Sequence, residues 1–393
     1  MKIKNLTAIY GAVQFLFWVG YSAIVGFASV YLTDAGFDST EIGMVLALGA
    51  ALSVLLQPMV AAYADKESAP SLRVIIAALV LILMVFDASL ALVRGSRAGT
   101  AALFVVCLAI VQTITPLINA LGIQSASQGK PMNYGVARGG GSLGYAVGAY
   151  LFGLLTARIG AASLLAAFPV AYIQLFAAVL VMPFTRQRLP RSGEKSQRDD
   201  PISFFRRYPR FGIVLLGAVL SFLGHMLINS FTLQIVQSKG GGSEEMGIAV
   251  AIATVTELPT MLLFSRMTKK VRVDIWFRVS GIFLMLKTLG TMLVPNVFGL
   301  CLVMTLQMMA WALIAISAVY YIDAIMAPRD AVKGQAYFTM SYTISNVLSA
   351  LVCGPIIDHC GVNTALGVAT VAAVIGMGIL LFATEKTTRN APV

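Results

Sequence analysis

Thr185–Arg210, reading TRQRLPRSGEKSQRDDPISFFRRYPR, is the one long polar segment in a chain of 393 residues. The sequence on either side of it falls into long apolar blocks. Leu6 to Leu32 contains no charged residue, and Phe211 to Gln237 has His225 as its one ionisable group of that kind. Blocks of about 20 apolar residues match a hydrocarbon layer roughly 30 Å thick. Uncharged runs of about 18 or more do not read as helices of a soluble core. Working outward from the polar segment gives six blocks before it (6–32, 40–64, 71–93, 99–123, 135–157, 162–184) and six after it (211–237, 246–265, 275–297, 299–325, 334–356, 363–383). The predicted fold class is an all-α membrane protein, with twelve transmembrane helices in two six-helix bundles. The predicted organisation is a first bundle over 1–184, a cytoplasmic central loop over 185–210 and a second bundle over 211–393.

The composition agrees with this reading. Apolar residues make up 58% of the chain and charged residues 11%, against about 25% charged in soluble domains. The net charge of +11 does not point to nucleic acid, because the basic residues sit between apolar blocks without interleaved aromatics. With the N-terminus placed inside, 22 Lys and Arg fall on the inner side and four on the outer, while Arg138 and Lys287 lie within spans. That asymmetry predicts an even number of spans with both termini cytoplasmic, in a bacterial-type plasma (inner) membrane. The first apolar run is too long for a cleavable signal and lacks its cleavage site. The four cysteines show no metal-ligand spacing. No H-E-x-x-H or G-x-S-x-G occurs, and His225 and His359 are far apart in sequence. An enzyme, a metal and a cofactor are therefore not expected. The expected partners are a small solute, protons and the bilayer, with the chain acting as a monomer.

Function is read from polar residues that hydrocarbon should have excluded, since ionisable groups there are costly and face a cavity or a partner. Counting along the spans puts Glu257, Lys287 and His225 near mid-membrane and Arg138 in the inner third. A lone carboxyl in a low-dielectric site can exchange a proton near neutral pH. Glu257 is thus a candidate proton carrier, the competing reading being an ion pair with Lys287. Arg138 shares a helix face with Ser142 and Tyr145. Its guanidinium offers fixed donors to hydroxyl or carboxylate acceptors, unless it snorkels to the interface. Asn119 is placed at a similar depth, where it could meet Arg138. His225 and Asn229 are one turn apart. Gln14, Trp18 and Tyr21 form a stripe that serves either helix packing or a cavity wall. Asp87 and Asp323 lie nearer span ends, Asp87 read as structural. The glycines from Gly135 to Gly153 read as a close-packing surface.

Several of these pieces resemble the major facilitator superfamily. Within it the similarity is to the branch holding the lactose permease, proton-linked oligosaccharide symporters, nucleoside permeases and phenylpropionate permeases. The resemblance rests on Gln57-Pro58 followed by Asp65-Lys66, on Tyr134-Gly-Val-Ala-Arg138-Gly-Gly-Gly-Ser-Leu-Gly-Tyr145, on Glu257-Leu-Pro and on Lys287. It implies substrate binding by Arg138 and Tyr145, substrate binding and coupling by Glu257, and a helix-capping role for Asp65 in the inner gating loop. The chain departs from the sugar-permease pattern at several positions. Asn119 and Ala310 stand where that pattern has glutamates, Lys287 where it has arginine, Gln307 where it has histidine, and Ala61 where it has glycine. Coupling would then run through Glu257 with Lys287, or through His225 or Asp323. The expected function is proton symport of a hydroxylated solute such as a sugar or nucleoside, with Gln307 added to the binding residues. Uniport, import of aromatic carboxylates and drug efflux are the alternatives.

Overall fold

The computed structural model describes residues 6–66, 68–93, 95–126, 132–182 and 201–387. Hydrocarbon offers no partners to backbone N–H and C=O groups, so apolar blocks of this length must satisfy themselves as helices. Among the described residues twelve helices are long and apolar enough to cross a membrane: Leu6–Gly26, Ser39–Ala64, Leu72–Leu92, Arg97–Ser125, Tyr134–Ile159, Ala161–Val181, Pro209–Ser230, Ser243–Lys270, Val273–Leu293, Val297–Ile325, Asp330–Cys360 and Val362–Ala383. They are called spans one to twelve here. An even number brings residues 6 and 387 to the same face, called the terminal face.

The polar segment is not loop throughout. Pro201–Arg207 is helical, with Phe204 buried against Phe211 and Tyr337 and with Arg206 and Arg207 in its last turn. Span seven follows directly, opening with Pro209 at its first turn, where a missing N–H costs nothing. Residues 183–200, which carry the rest of that segment, lie outside the described residues. So do Lys2, Lys4, Arg94, Lys130 and Arg389 among the basic residues behind the orientation reading.

Three spans predicted as continuous are interrupted. Span one ends in a π-helical turn, Ser22–Gly26, and resumes after Phe27 as Ala28–Asp34. Span seven stops at Ser230 and continues as Thr232–Gln237. Span ten passes from Val297–Met304 through a 3₁₀ turn, Thr305–Met308, before Trp311–Ile325. Irregular backbone at membrane depth is tolerated where it is buried in protein or lines a cavity, and π turns concentrate at functional sites.

The two halves meet at the face opposite the terminal one. The carboxylate of Asp358, near the end of span eleven, accepts backbone N–H bonds from Ser39 (3.0 Å) and Thr40 (2.7 Å) at the start of span two, and the Thr40 hydroxyl (2.6 Å). These are first-turn donors that a helix leaves unsatisfied. Below them, a Cβ on Gly43 would overlap the carbonyl oxygen of Ala350, so the backbones of spans two and eleven touch. Beside this crossing, Gln234 Nε2 donates to Thr33 Oγ1 at 3.3 Å.

Candidate functional site

Between the halves lies a cavity of about 350 Å³. The first half supplies Trp18, Tyr21, Arg138, Ser142 and Tyr145 to its lining, and the second supplies His225, Asn229, Glu257, Lys287 and Gln307. All three interruptions reach it: the π turn of span one through Val25 and Gly26, the break in span seven through Ser230 and Thr232, and the 3₁₀ turn of span ten through Gln307.

On the first wall, the guanidinium carbon of Arg138 sits 4.9 Å from the centroid of the Trp18 ring. Among the described residues no carboxylate forms an ion pair with it. A cation over an indole face is attracted by the ring quadrupole, and this contact holds the guanidinium in the cavity rather than at the interface. Gly141 makes room for it, because a Cβ there would lie 2.9 Å from Arg138 Nη1. Trp18, Tyr21 and Tyr145 form one aromatic cluster, with centroids 4.8, 6.1 and 6.3 Å apart.

Two residues expected in the cavity sit behind this wall. Gln14 is fully buried, bonds Tyr10, and reaches Asn119 Oδ1 at 3.3 Å. It also accepts from Trp18 Nε1 at 3.0 Å. The carbonyl oxygen of Asn119 is thus taken by Gln14, and among the described residues Asn119 shows no bond to Arg138. The reason is that amides packed between helices satisfy one another as readily as they would a ligand. Gln14 and Asn119 support Trp18 from behind.

The opposite wall carries a chain of three side chains from three spans. Lys287 Nζ of span nine donates to Gln307 Oε1 of span ten, and Gln307 Nε2 donates to Glu257 Oε1 of span eight at 2.8 Å. All three are buried. The direct Glu257–Lys287 ion pair offered by the sequence does not form, because the Gln307 amide stands between the two charges. Thr260, one turn beyond Glu257, donates to the Met308 carbonyl at 2.8 Å, so span eight also grips the broken turn that bears Gln307. On the same wall His225 stacks on Trp311 (4.9 Å, 12°), and its Nε2 lies 3.1 Å from Asn229 Nδ2. The other ring nitrogen of His225 has no hydrogen-bond partner among the described residues.

Trp311, Tyr342 and Asn346 also line the cavity, and the sequence reading missed them. The signal available was Tyr342 and Asn346, one turn apart on a stretch of span eleven whose other polar residues are Ser and Thr. Asp323 lies away from the cavity, exposed, accepting from Gln335 Nε2 at 3.1 Å. Asp65 is exposed, and no hydrogen bond or ion pair of its side chain occurs among the described residues, so the expected helix cap is not made here. Asp87 is fully buried inside the first half, and neither of its oxygens has a hydrogen-bond partner among the described residues. Among the described residues no metal-binding cluster occurs.

Residues 7–368 match the MFS_1 like family. The chain belongs to the major facilitator superfamily. It is 28% identical to the maltose permease of Geobacillus stearothermophilus over 264 residues, 66% of this chain and 64% of that one. It is 21% identical to the uncharacterized transporter YwbF of Bacillus subtilis (strain 168) over 389 residues, 96% of this chain and 93% of that one. Among solved structures, a mutant of the nucleoside transporter NupG superposes with a TM-score of 0.83 at 16% identity, covering 97% of this chain and 100% of that one. A bacterial homolog of the human lysosomal transporter Spinster, inward-facing and unoccupied, superposes with a TM-score of 0.67 at 15% identity, covering 99% and 97%. The protein is therefore a member of this superfamily, with twelve candidate membrane helices among the described residues.

Proposed function

We propose that this transporter imports a small hydroxyl-rich solute, a nucleoside or a sugar, by symport with protons. The supporting observation is the pairing of walls across one cavity: a guanidinium fork with no carboxylate partner among the described residues on one side, and a buried carboxyl reachable from the cavity on the other. The fork suits hydroxyl or carbonyl acceptors. The aromatic clusters suit a ring face. A volume of about 350 Å³ is within the range of small-molecule sites. Glu257 is the proton carrier in this reading, because a carboxyl in that setting can change charge with occupancy. Ser142, Tyr145, Tyr21, His225 and Asn229 complete the substrate contacts. The relatives' names point the same way: one is a maltose permease and another a nucleoside transporter.

In this reading residues 1–184 and 211–393 rock against each other about the site, with 185–210 as the cytoplasmic link. The terminal face is cytoplasmic in a bacterial-type plasma membrane, following the basic residues. The Asp358 contact then closes the outer face, and Asp65 is the cap that would form when the inner face closes. The protein works as a monomer.

A second reading is import of an aromatic carboxylate. With Glu257 ionised, Arg138 and Lys287 together still leave the cavity net positive. A thermal-shift screen of the purified protein against maltose, uridine and phenylpropionate separates these classes, since a ligand of the folded state raises Tm. Uptake into proteoliposomes with and without an imposed pH gradient then tests coupling. Accumulation that ignores the gradient would leave a uniporter, and stabilisation by amphipathic cations alone would leave an exporter.

A further inference from the structure

The Gln307 amide is an unusual link between two buried charges, because it has a polarity of its own and no proton to give. Its NH₂ must face the Glu257 carboxylate and its C=O must face the Lys287 ammonium. Rotating it by half a turn would set oxygen against oxygen and donor against donor. Its orientation is therefore fixed by the charges at its two ends. Span ten is broken at this residue, and the loosened Met308 carbonyl is taken up by Thr260 on the span that carries Glu257. Both the side chain and the backbone of the 3₁₀ turn are thus tied to span eight around the same carboxyl.

We propose that Gln307 is the positioning residue of the proton step: it holds Glu257 and Lys287 apart as two separate charges, and protonation of Glu257 releases Lys287 to the cargo. The inference rests on Glu257 being the proton carrier. A proton from solvent forms an O–H bond on Glu257 and no other bond breaks. The resulting neutral acid can donate as well as accept, so the amide is no longer held in one orientation. Lys287 then loses the carboxylate that balanced it through the bridge, and its ammonium, already part of the cavity lining, becomes a donor for a substrate hydroxyl. A direct Glu257–Lys287 pair would resist this release, since two opposite charges in contact away from water hold each other strongly. The other charged or titratable groups facing this chain are Arg138 and Tyr145 of span five, His225 of span seven and Tyr342 of span eleven. None of them bonds to Gln307.

The test is infrared difference spectroscopy on the full-length purified protein without ligand, following the carboxylic C=O band against pH. Loss of the band in Glu257→Gln assigns it. Gln307→Leu removes the donor that favours the carboxylate, and the band's titration midpoint should move up by about one pH unit. Gln307→Asn, one methylene shorter and unable to reach both partners, should move it the same way; it decides the matter should the leucine variant not fold. In binding assays with uridine and maltose followed by tryptophan fluorescence, the wild-type Kd should weaken as pH rises through that midpoint. In the Gln307 variants that dependence should flatten to less than about twofold. Midpoints unchanged in both variants would overturn the bridge and leave Glu257 as carrier. A band that survives Glu257→Gln would overturn the carrier reading itself, and with it this inference.

Discussion

The two walls of the cavity handle buried charge in opposite ways. On the first wall Arg138 is balanced by a ring: it lies over Trp18, with no carboxylate partner among the described residues. On the second wall Glu257 and Lys287 balance each other through Gln307. A cation resting on an aromatic face keeps its donors free for a ligand, whereas charges tied into a chain present little outward until the chain is disturbed. The first wall is thus built to bind, and the second to respond. The aromatic groups follow the same division, since Trp18 touches a permanent cation while Trp311 touches His225, a group that can change charge.

The largest expected effect tests the responding wall. Glu257→Gln should abolish uphill accumulation of uridine or maltose in proteoliposomes while leaving counterflow exchange, because the amide stands in for the protonated carboxyl but can neither take nor lose a proton. Full accumulation in this variant would remove the distinction between the walls. The next tests the binding wall. Arg138→Lys should weaken binding by well over about tenfold, or ~1.4 kcal/mol, since one ammonium cannot reproduce a fork of donors. Its pH profile should match the wild type. A flattened profile would mean that Arg138 belongs to the proton step after all.

Much of this was legible in the sequence, and the physical reason is cost. Hydrocarbon penalises polar groups, so the twelve spans stood out as blocks, and Arg138, Glu257, Lys287 and His225, all in the cavity lining, stood out as exceptions within them; Gln307 came only from the family resemblance. Tolerated groups were harder to place. Trp311 and Tyr342 are at ease facing lipid, a neighbouring helix or a ligand, so composition said nothing about which. Gln14 and Asn119 were expected in the cavity, but two amides on adjacent helices can satisfy each other, and a helix wheel does not separate the inside of a bundle from its cavity side. The broken turn of span ten contains neither glycine nor proline. It is held by Thr260 from another span, a tertiary contact with no local signature. The same is true of the Asp358 contact, whose partners are about 320 residues away in sequence.

The two tryptophans give the finer comparison. Trp311→Leu removes the ring stacked on His225, an interaction of about 1 kcal/mol, and should weaken uridine binding by about three- to tenfold. Because His225 loses its stacking partner beside the Glu257 chain, the pH profile should also shift. Trp18→Phe should act less and differently. Phenylalanine keeps a smaller ring beneath Arg138, so the lost cation–π contribution of ~0.5–1 kcal/mol predicts a two- to fivefold weaker Kd. It also deletes the indole N–H that Gln14 Oε1 accepts, leaving a fully buried acceptor without that donor. That should lower Tm by a few degrees even without ligand. The pH profile should stay where it was, because nothing on this wall exchanges a proton in the working range. A displaced profile in Trp18→Phe would show that the rings sense the proton together, and that the cavity acts as one unit rather than as a binding wall facing a responding one.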